Sequence, residues 1–176
     1  MTQIDTSILI RRGRREDAAN LAKLHVDVWR ATYASLAPVE AKTLLDEARR
    51  LPYWQSALVL QEPGKGVWVA VDADEAIRGV ISFDASGHPA FEGRREIKHL
   101  YVALDAQGQG IGQRLLQMAI SECRTAGACG VALAVVRQNA LARQFYKKMG
   151  GVEIGGFTDP GPLWRSDNIV VAWDNG

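Results

Sequence analysis

Cysteine is scarce: Cys123 and Cys129 are the only two in 176 residues. A disulfide framework is therefore not expected, and a pair of buried thiols in a reducing cytoplasm is the simpler reading. Histidine is almost as sparse. His25, His88 and His99 are too scattered for metal-ligand spacing, so no metal is expected. No apolar run approaches the about 18 residues that a membrane span needs. Met1 to Leu9 shows no basic stretch followed by a long apolar run, so no secretory signal is expected. A surplus of one charge is also missing. The formal net charge of +1 gives no global attraction to nucleic acid or to an anionic membrane. The one basic cluster, Arg11, Arg12, Arg14 and Arg15, is offset at once by Glu16 and Asp17 and reads as a solvated strand end.

What is present describes an ordinary globular chain. It is 47% hydrophobic and 23% charged, enough to build one domain with a real core. Ser7–Arg11 reads as a first strand. From Glu16 the apolar spacing turns helical through Ala18, Leu21, Ala22, His25, Val28 and Trp29. A second helix carries Val39, Leu44, Leu45 and Ala48, and Leu51-Pro52 is expected to break it before a third short stretch from Tyr53 to about Leu58. Trp29, Tyr33, Tyr53 and Trp54 make this half of the chain aromatic, as pocket walls or as core. Residues 67–71 and 76–83 read as a hairpin, and Arg94 to Ala103 as the next strand. A helix after Gly112 ends on Gly127. Val131 to Val136 is continuously apolar and suits a strand buried on both faces in parallel pairing. Asn139 is placed to cap a helix running through Met149. Short strands at 152–154 and 168–173 close the chain. No linker or repeat divides it, so residues 1–176 read as one α/β (α+β) domain.

The stretch with chemistry in it is Gln107-Gly108-Gln109-Gly110-Ile111-Gly112, set between a strand and a helix. Its glycines let the backbone curl and admit close approach of a ligand. A helix N-terminus follows, which favours anions. Two familiar phosphate cradles are excluded. The dinucleotide pattern needs a third glycine at 113, where Gln113 stands, and the nucleotide-triphosphate loop needs Gly-Lys-Ser/Thr, where the chain has Gly112-Gln113-Arg114.

The pattern that remains, Gln-x-x-Gly-x-Gly at Gln107, Gly110 and Gly112, resembles the signature of the GNAT superfamily of acetyl-CoA-dependent N-acetyltransferases. The downstream Asn139-Ala140-Leu141-Ala142-Arg143-Gln144-Phe145-Tyr146 is similar to a second motif of that family, and the opening Ile10-Arg11-Arg12-Gly13-Arg14-Arg15-Glu16-Asp17 to its start. One departure is Arg14, where the family often has a Ser or Thr helix cap, so the first turn is expected to be capped differently. The resemblance spans essentially the whole chain. It implies a mixed central sheet of six to seven strands, splayed between the fourth and fifth and flanked by about four helices. It further implies that Gln107, Gly108, Gln109, Gly110, Ile111 and Gly112 hold the pyrophosphate of acetyl-CoA. Leu100, Tyr101 and Val102 would offer a free strand edge to pantetheine, with the Val102 amide on the thioester carbonyl. Asn139 would contact the pantetheine arm.

Acetyl transfer to an amine needs a base for the ammonium, donors for the oxyanion and an acid for the thiolate. The resemblance implies Tyr146 as the acid and Glu96, directly or through water, as the base. A salt bridge in Arg94-Arg95-Glu96-Ile97-Lys98 is the competing reading of Glu96, and His99 is placed on the opposite face of the strand from Leu100. No Ser/His/Asp or Cys/His nucleophile is visible, which favours direct attack in a ternary complex. The acceptor is expected to be a small-molecule amine touching Trp29 and Tyr33. A protein N-terminus or lysine as acceptor, or a non-catalytic acetyl-CoA-binding module, are the alternatives, and a homodimer is left open.

Overall fold

A computed structural model of the protein describes residues 7–162 and 164–175. Most of the Met1–Leu9 segment, on which the expectation about a secretory signal rests, lies outside them. Seven strands form one sheet: β1 (Leu9–Arg12), β2 (Gly66–Val71), β3 (Ile77–Ala85), β4 (Arg95–Val102), β5 (Gly130–Val136), β6 (Val152–Asp159) and β7 (Ser166–Asp174), in the order β1-β2-β3-β4-β5-β7-β6. Every pairing is antiparallel except β4 with β5. The helices are α1 (Ala18–Thr32), α2 (Val39–Leu44), α3 (Glu47–Val59), α4 (Ile111–Thr125) and α5 (Ala140–Lys148).

Helices α1 and α4 bury the stripe that their sequence period marks out, but of the packing positions expected for the second helix only Leu45 is buried, while Val39, Leu44 and Ala48 are exposed. On one face of the sheet, Leu21 and Val28 of α1 and Trp54 and Leu58 of α3 pack on Val67, Val69 and Val80. On the other, Leu115, Leu116 and Ala119 of α4 meet Ile81, Phe83 and Ile97, with Phe145 and Tyr146 of α5 at the border. Close packing of α4 depends on Gly79 of β3. A Cβ there would stand 2.9 Å from Ile111 Cγ2 and 3.1 Å from Leu115 Cδ1, so any side chain would push away the start of α4.

Three local readings of the sequence are corrected. Pro52 does not end a helix: α3 starts after Asp46, whose side chain accepts from the Arg49 N–H at 2.7 Å, and continues through Pro52. The proline forfeits only the bond to the carbonyl of Ala48, which is exposed to water. Strand β6 runs to Asp159, beyond the short 152–154 run. It is an exposed edge strand interrupted by a bulge between Glu153 and Gly155, so it carries no apolar alternation to read. Finally, Cys123 is buried but Cys129 is exposed, and both are free.

The basic cluster is also not simply solvated. Arg11 pairs with Asp17, which reaches back to accept the Arg14 N–H at 2.8 Å and closes the first turn without a Ser or Thr cap. Burial alone would raise the Asp17 carboxyl, but Arg11 and that N–H hold it below the ordinary carboxylate value. Arg12 makes two bonds, at 2.9 and 2.7 Å, to Glu122 of α4. The same carboxylate accepts from Trp68 Nε1 at 2.6 Å and from the Gly64 N–H at 3.2 Å. Glu122 thus ties β1, β2 and the loop before β2 to α4. Glu122→Ala strands three donors and is expected to cost about 3 kcal/mol. In urea titration a loss under about 1 kcal/mol would refute this role for the carboxylate.

Candidate active site

The site begins where the sheet comes apart. Strands β4 and β5 pair only at Arg95 with Val131 and Glu96 with Ala132. Beyond that point β4 continues to Val102 and β5 to Val136 without meeting. A bulge helps part them: Ser82 of β3 faces His99 and Phe83 faces Ile97, leaving Lys98 as the extra residue. The wedge is a cavity of 710 Å³, walled by β4, β5, α5, the 106–113 loop and the end of α1.

Backbone accounting shows which groups the wedge frees. The Ala103 N–H donates to the Arg78 carbonyl at 2.8 Å, on the β3 side. N–H groups alternate sides along a strand, so those of Leu100 and Val102 point into the wedge. Strand β4 therefore offers an unpaired edge, and a bound molecule can complete it.

At the wide end, Gln107 Nε2 donates to the Val102 carbonyl at 3.2 Å and folds the glycine loop back over the strand. Gly108 and Gly110 have φ of 79° and 82°, the left-handed region that suits glycine. A Cβ on either would find no heavy atom within 4 Å, so the space over the loop is open. Helix α4 starts at Ile111 with no side-chain cap, leaving its first N–H groups to an anion. Gly112 is different: it sits under Phe145 and Val102 at ordinary contact distance and serves packing.

On the far wall, Asn139 caps α5, its side chain accepting from the Ala142 N–H at 3.3 Å. About two turns on, Tyr146 stands edge-on to Trp173 at 5.8 Å and to Phe145 at 5.4 Å. Burial, with Tyr33 beside it, holds the Tyr146 phenol well above the usual tyrosine value. Tyr101 is held up in the same way by burial, then by Tyr33. Tyr33, Tyr101 and Tyr146 all line the cavity, and all are neutral proton donors at neutral pH.

The other expected residues divide. Glu96 is the last residue of β4 paired to β5. It does not line the cavity, and its carboxylate holds the Lys98 ammonium. Trp29 is buried among α1 and α2 residues and reaches the site only through Tyr33, 5.2 Å away. His99 is on the face of β4 opposite Leu100, as expected, yet both line the cavity because the wedge opens the sheet from both sides. Its ring lies 4.7 Å from His25 and 5.6 Å from Tyr101. His25 accepts from Trp54 Nε1 at 3.2 Å. Desolvation pushes His25 down to about 2 and His99 down to about 3, so neither imidazole is charged at neutral pH. Among the described residues no Asp or Glu lines the cavity, whereas Lys98 and Lys148 do.

The family model of the acetyltransferase (GNAT) family matches residues 22–151. The chain belongs to this family. It is 29% identical over 134 residues, 75% of this chain and 73% of the relative, to the uncharacterized N-acetyltransferase YuaI of Bacillus subtilis. The fold is similar to that of the PaiA N-acetyltransferase from Thermoplasma acidophilum in complex with coenzyme A, with a TM-score of 0.74, 21% identity and coverage of 97% of this chain and 100% of that one. It is likewise similar to yncA of Salmonella typhimurium with its cofactor acetyl-CoA, with a TM-score of 0.71, 21% identity and coverage of 96% and 94%. The protein is thus an acetyl-CoA-dependent acyltransferase with the GNAT fold. Its own residues fit that donor: an open loop of N–H groups at a helix start for pyrophosphate, and a free strand edge for the amide-bearing arm. Among the described residues no group of His, Cys, Asp and Glu could hold a metal ion.

Proposed function

We propose that this GNAT protein acetylates the primary amine of a small molecule by direct attack in a ternary complex within one domain. The wedge between β4 and β5 carries the reading, because it joins an anion cradle, a free strand edge and a buried phenol in one cavity. Bound acetyl-CoA supplies an acetyl group activated as a thioester. Gln107 to Gly112 hold the pyrophosphate, the N–H groups of Leu100 and Val102 pair with pantetheine and the carbonyl oxygen, and Asn139 positions the arm. Val102 N–H stabilises the oxyanion as the amine nitrogen bonds the carbonyl carbon and the carbon–sulfur bond breaks. Tyr146 gives its proton to the departing sulfur. Glu96, tied to Lys98 and set back from the cavity, takes the amine proton through water. Tyr33 walls the acceptor side. The balanced net charge and the enclosed aromatic wall favour a small acceptor over a protein segment. Thiol release from acetyl-CoA, screened against amino acids, polyamines, aminoglycosides and peptides, tests the reading, and turnover confined to peptides would refute it.

The cradle has its own test. Valine at Gly110 cannot hold φ near 82° without strain of about 1–2 kcal/mol. The loop relieves that strain by turning its N–H groups, so acetyl-CoA Kd is expected to rise about tenfold or more. Gly127→Ala is the control. Gly127 has φ 88° and open surroundings at the opposite end of α4. It carries a comparable backbone cost and should leave Kd within about twofold. Equal Kd shifts in both variants, by calorimetry, would show that the loop acts only through stability.

A further inference from the structure

We propose that the acceptor is a primary monoamine with an apolar, uncharged body, aromatic or aliphatic, and that Ala134 sets the size of the chamber that takes it. This rests on the acetyltransferase reading and names its substrate class. The observation is an uncovered place in the middle of the sheet. Strand β5 lies between β4 and β7, and along it every residue is buried except Ala134. Ala132 and Val136, which share its face, are 0% and 9% exposed, and Val170, its partner on β7, is 0% exposed. The centre of a sheet is normally covered by a packed element. Ala134 instead lines the cavity.

The two faces of the sheet divide the cavity between donor and acceptor. Leu133 and Val135 of β5 and Leu100 and Val102 of β4 belong to the α4 face, where the glycine loop starts its helix. Ala134 and Tyr101 alternate with them and open on the face that carries α1 and α3. Val28, Thr32, Tyr33 and His99 line the cavity on that side. The rings there are held by one another. Tyr33 stands 5.2 Å from Trp29 and 5.5 Å from Trp164, and Tyr101 stands 4.9 Å from His25 and 5.6 Å from His99. Mutually packed rings keep a fixed shape and offer a ligand apolar area and ring edges. They offer no counter-charge. Among the described residues no Asp, Glu or Arg lines the cavity, Lys98 is held by Glu96, and Lys148 stands on α5. Desolvation keeps His25 and His99 neutral. The Tyr101 hydroxyl has no hydrogen-bond partner among the described residues and is left to accept an amine N–H. A second ammonium or a carboxylate on the acceptor would lose its water here unpaired, whereas an apolar body gains with the area it buries.

The test uses the full chain, acetyl-CoA and matched pairs of amines. Phenethylamine should exceed L-phenylalanine, which adds a carboxylate to the same body, by about 100-fold in kcat/KM, and hexylamine should exceed hexamethylenediamine by a similar factor. Ala134→Leu fills the chamber from its floor. It should lower kcat/KM for phenethylamine at least about fivefold more than for propylamine, and leave acetyl-CoA Kd within about twofold by calorimetry. Ala134→Gly deepens the chamber without crowding β5, and should move preference from phenethylamine toward tryptamine by about threefold or more. Preference for the amino acid or the diamine would overturn the proposal while leaving the acetyltransferase reading standing. So would equal losses for large and small amines in Ala134→Leu, a raised acetyl-CoA Kd in that variant, or an unchanged preference in Ala134→Gly. A wild-type protein that fails to bind acetyl-CoA would sink both.

Discussion

Tyr146→Phe is expected to lower kcat about 10²- to 10³-fold, the range of a lost general acid, with acetyl-CoA Kd within about twofold. The substitution removes one oxygen from a ring that stays packed against Trp173 and Phe145, so the wall of the wedge keeps its shape. The phenol makes no hydrogen bond among the described residues, so its proton is not committed elsewhere. Burial holds the Tyr146 phenol above its ordinary value, and the same dry environment raises the proton affinity of a departing thiolate. Donor and acceptor are therefore shifted in the same direction. A phenol whose pKa is raised stays protonated through pH 9, so wild-type kcat should not fall between pH 7 and 9. Single-turnover measurements separate this step from product release. An unchanged single-turnover rate in Tyr146→Phe would remove the residue from the chemistry and leave it as packing.

The parts of the site that a linear reading recovers are those built from adjacent residues. The Gln107–Gly112 loop, the α4 start and the Asn139–Tyr146 helix each lie within one short segment, and their geometry follows from glycine, cap and period. What escapes the linear reading depends on pairing across the sheet. The extra residue Lys98 is set by the register of β3 against β4, and nothing in Arg94-Arg95-Glu96-Ile97-Lys98 announces it. That bulge, with the divergence after Glu96, is why His99 and Leu100 can both border one cavity from opposite faces.

Stability should fall steeply between pH 7 and pH 5, by about 2–4 kcal/mol, and the two inner histidines should account for it. His25 is 1% exposed, and desolvation holds it near pKa 2, with His99 near 3. In the unfolded chain both would titrate near about 6.5. Below that value the unfolded state binds protons that the folded state refuses, so stability is present above pH 6.5 and is lost as pH falls toward the folded values. Each histidine contributes at most about 2 kcal/mol over this window. His99, which borders the cavity, contributes less than its full share where water reaches it. The groups around the pair do not counter the effect. Arg50 and Lys98 disfavour a second positive charge, Tyr53 and Tyr101 are neutral, and no carboxylate pairs with either ring among the described residues. Asp17, held below the ordinary carboxylate value by Arg11, titrates lower still and leaves this window to the histidines. His25→Gln keeps an acceptor for Trp54 Nε1 and removes one titrating site. Urea midpoints at pH 7 and 5 should therefore differ by about half as much in that variant as in the wild type. Equal pH sensitivity in the two proteins would mean that His25 is protonated in the folded state and that the aromatic wall of the acceptor side carries charge.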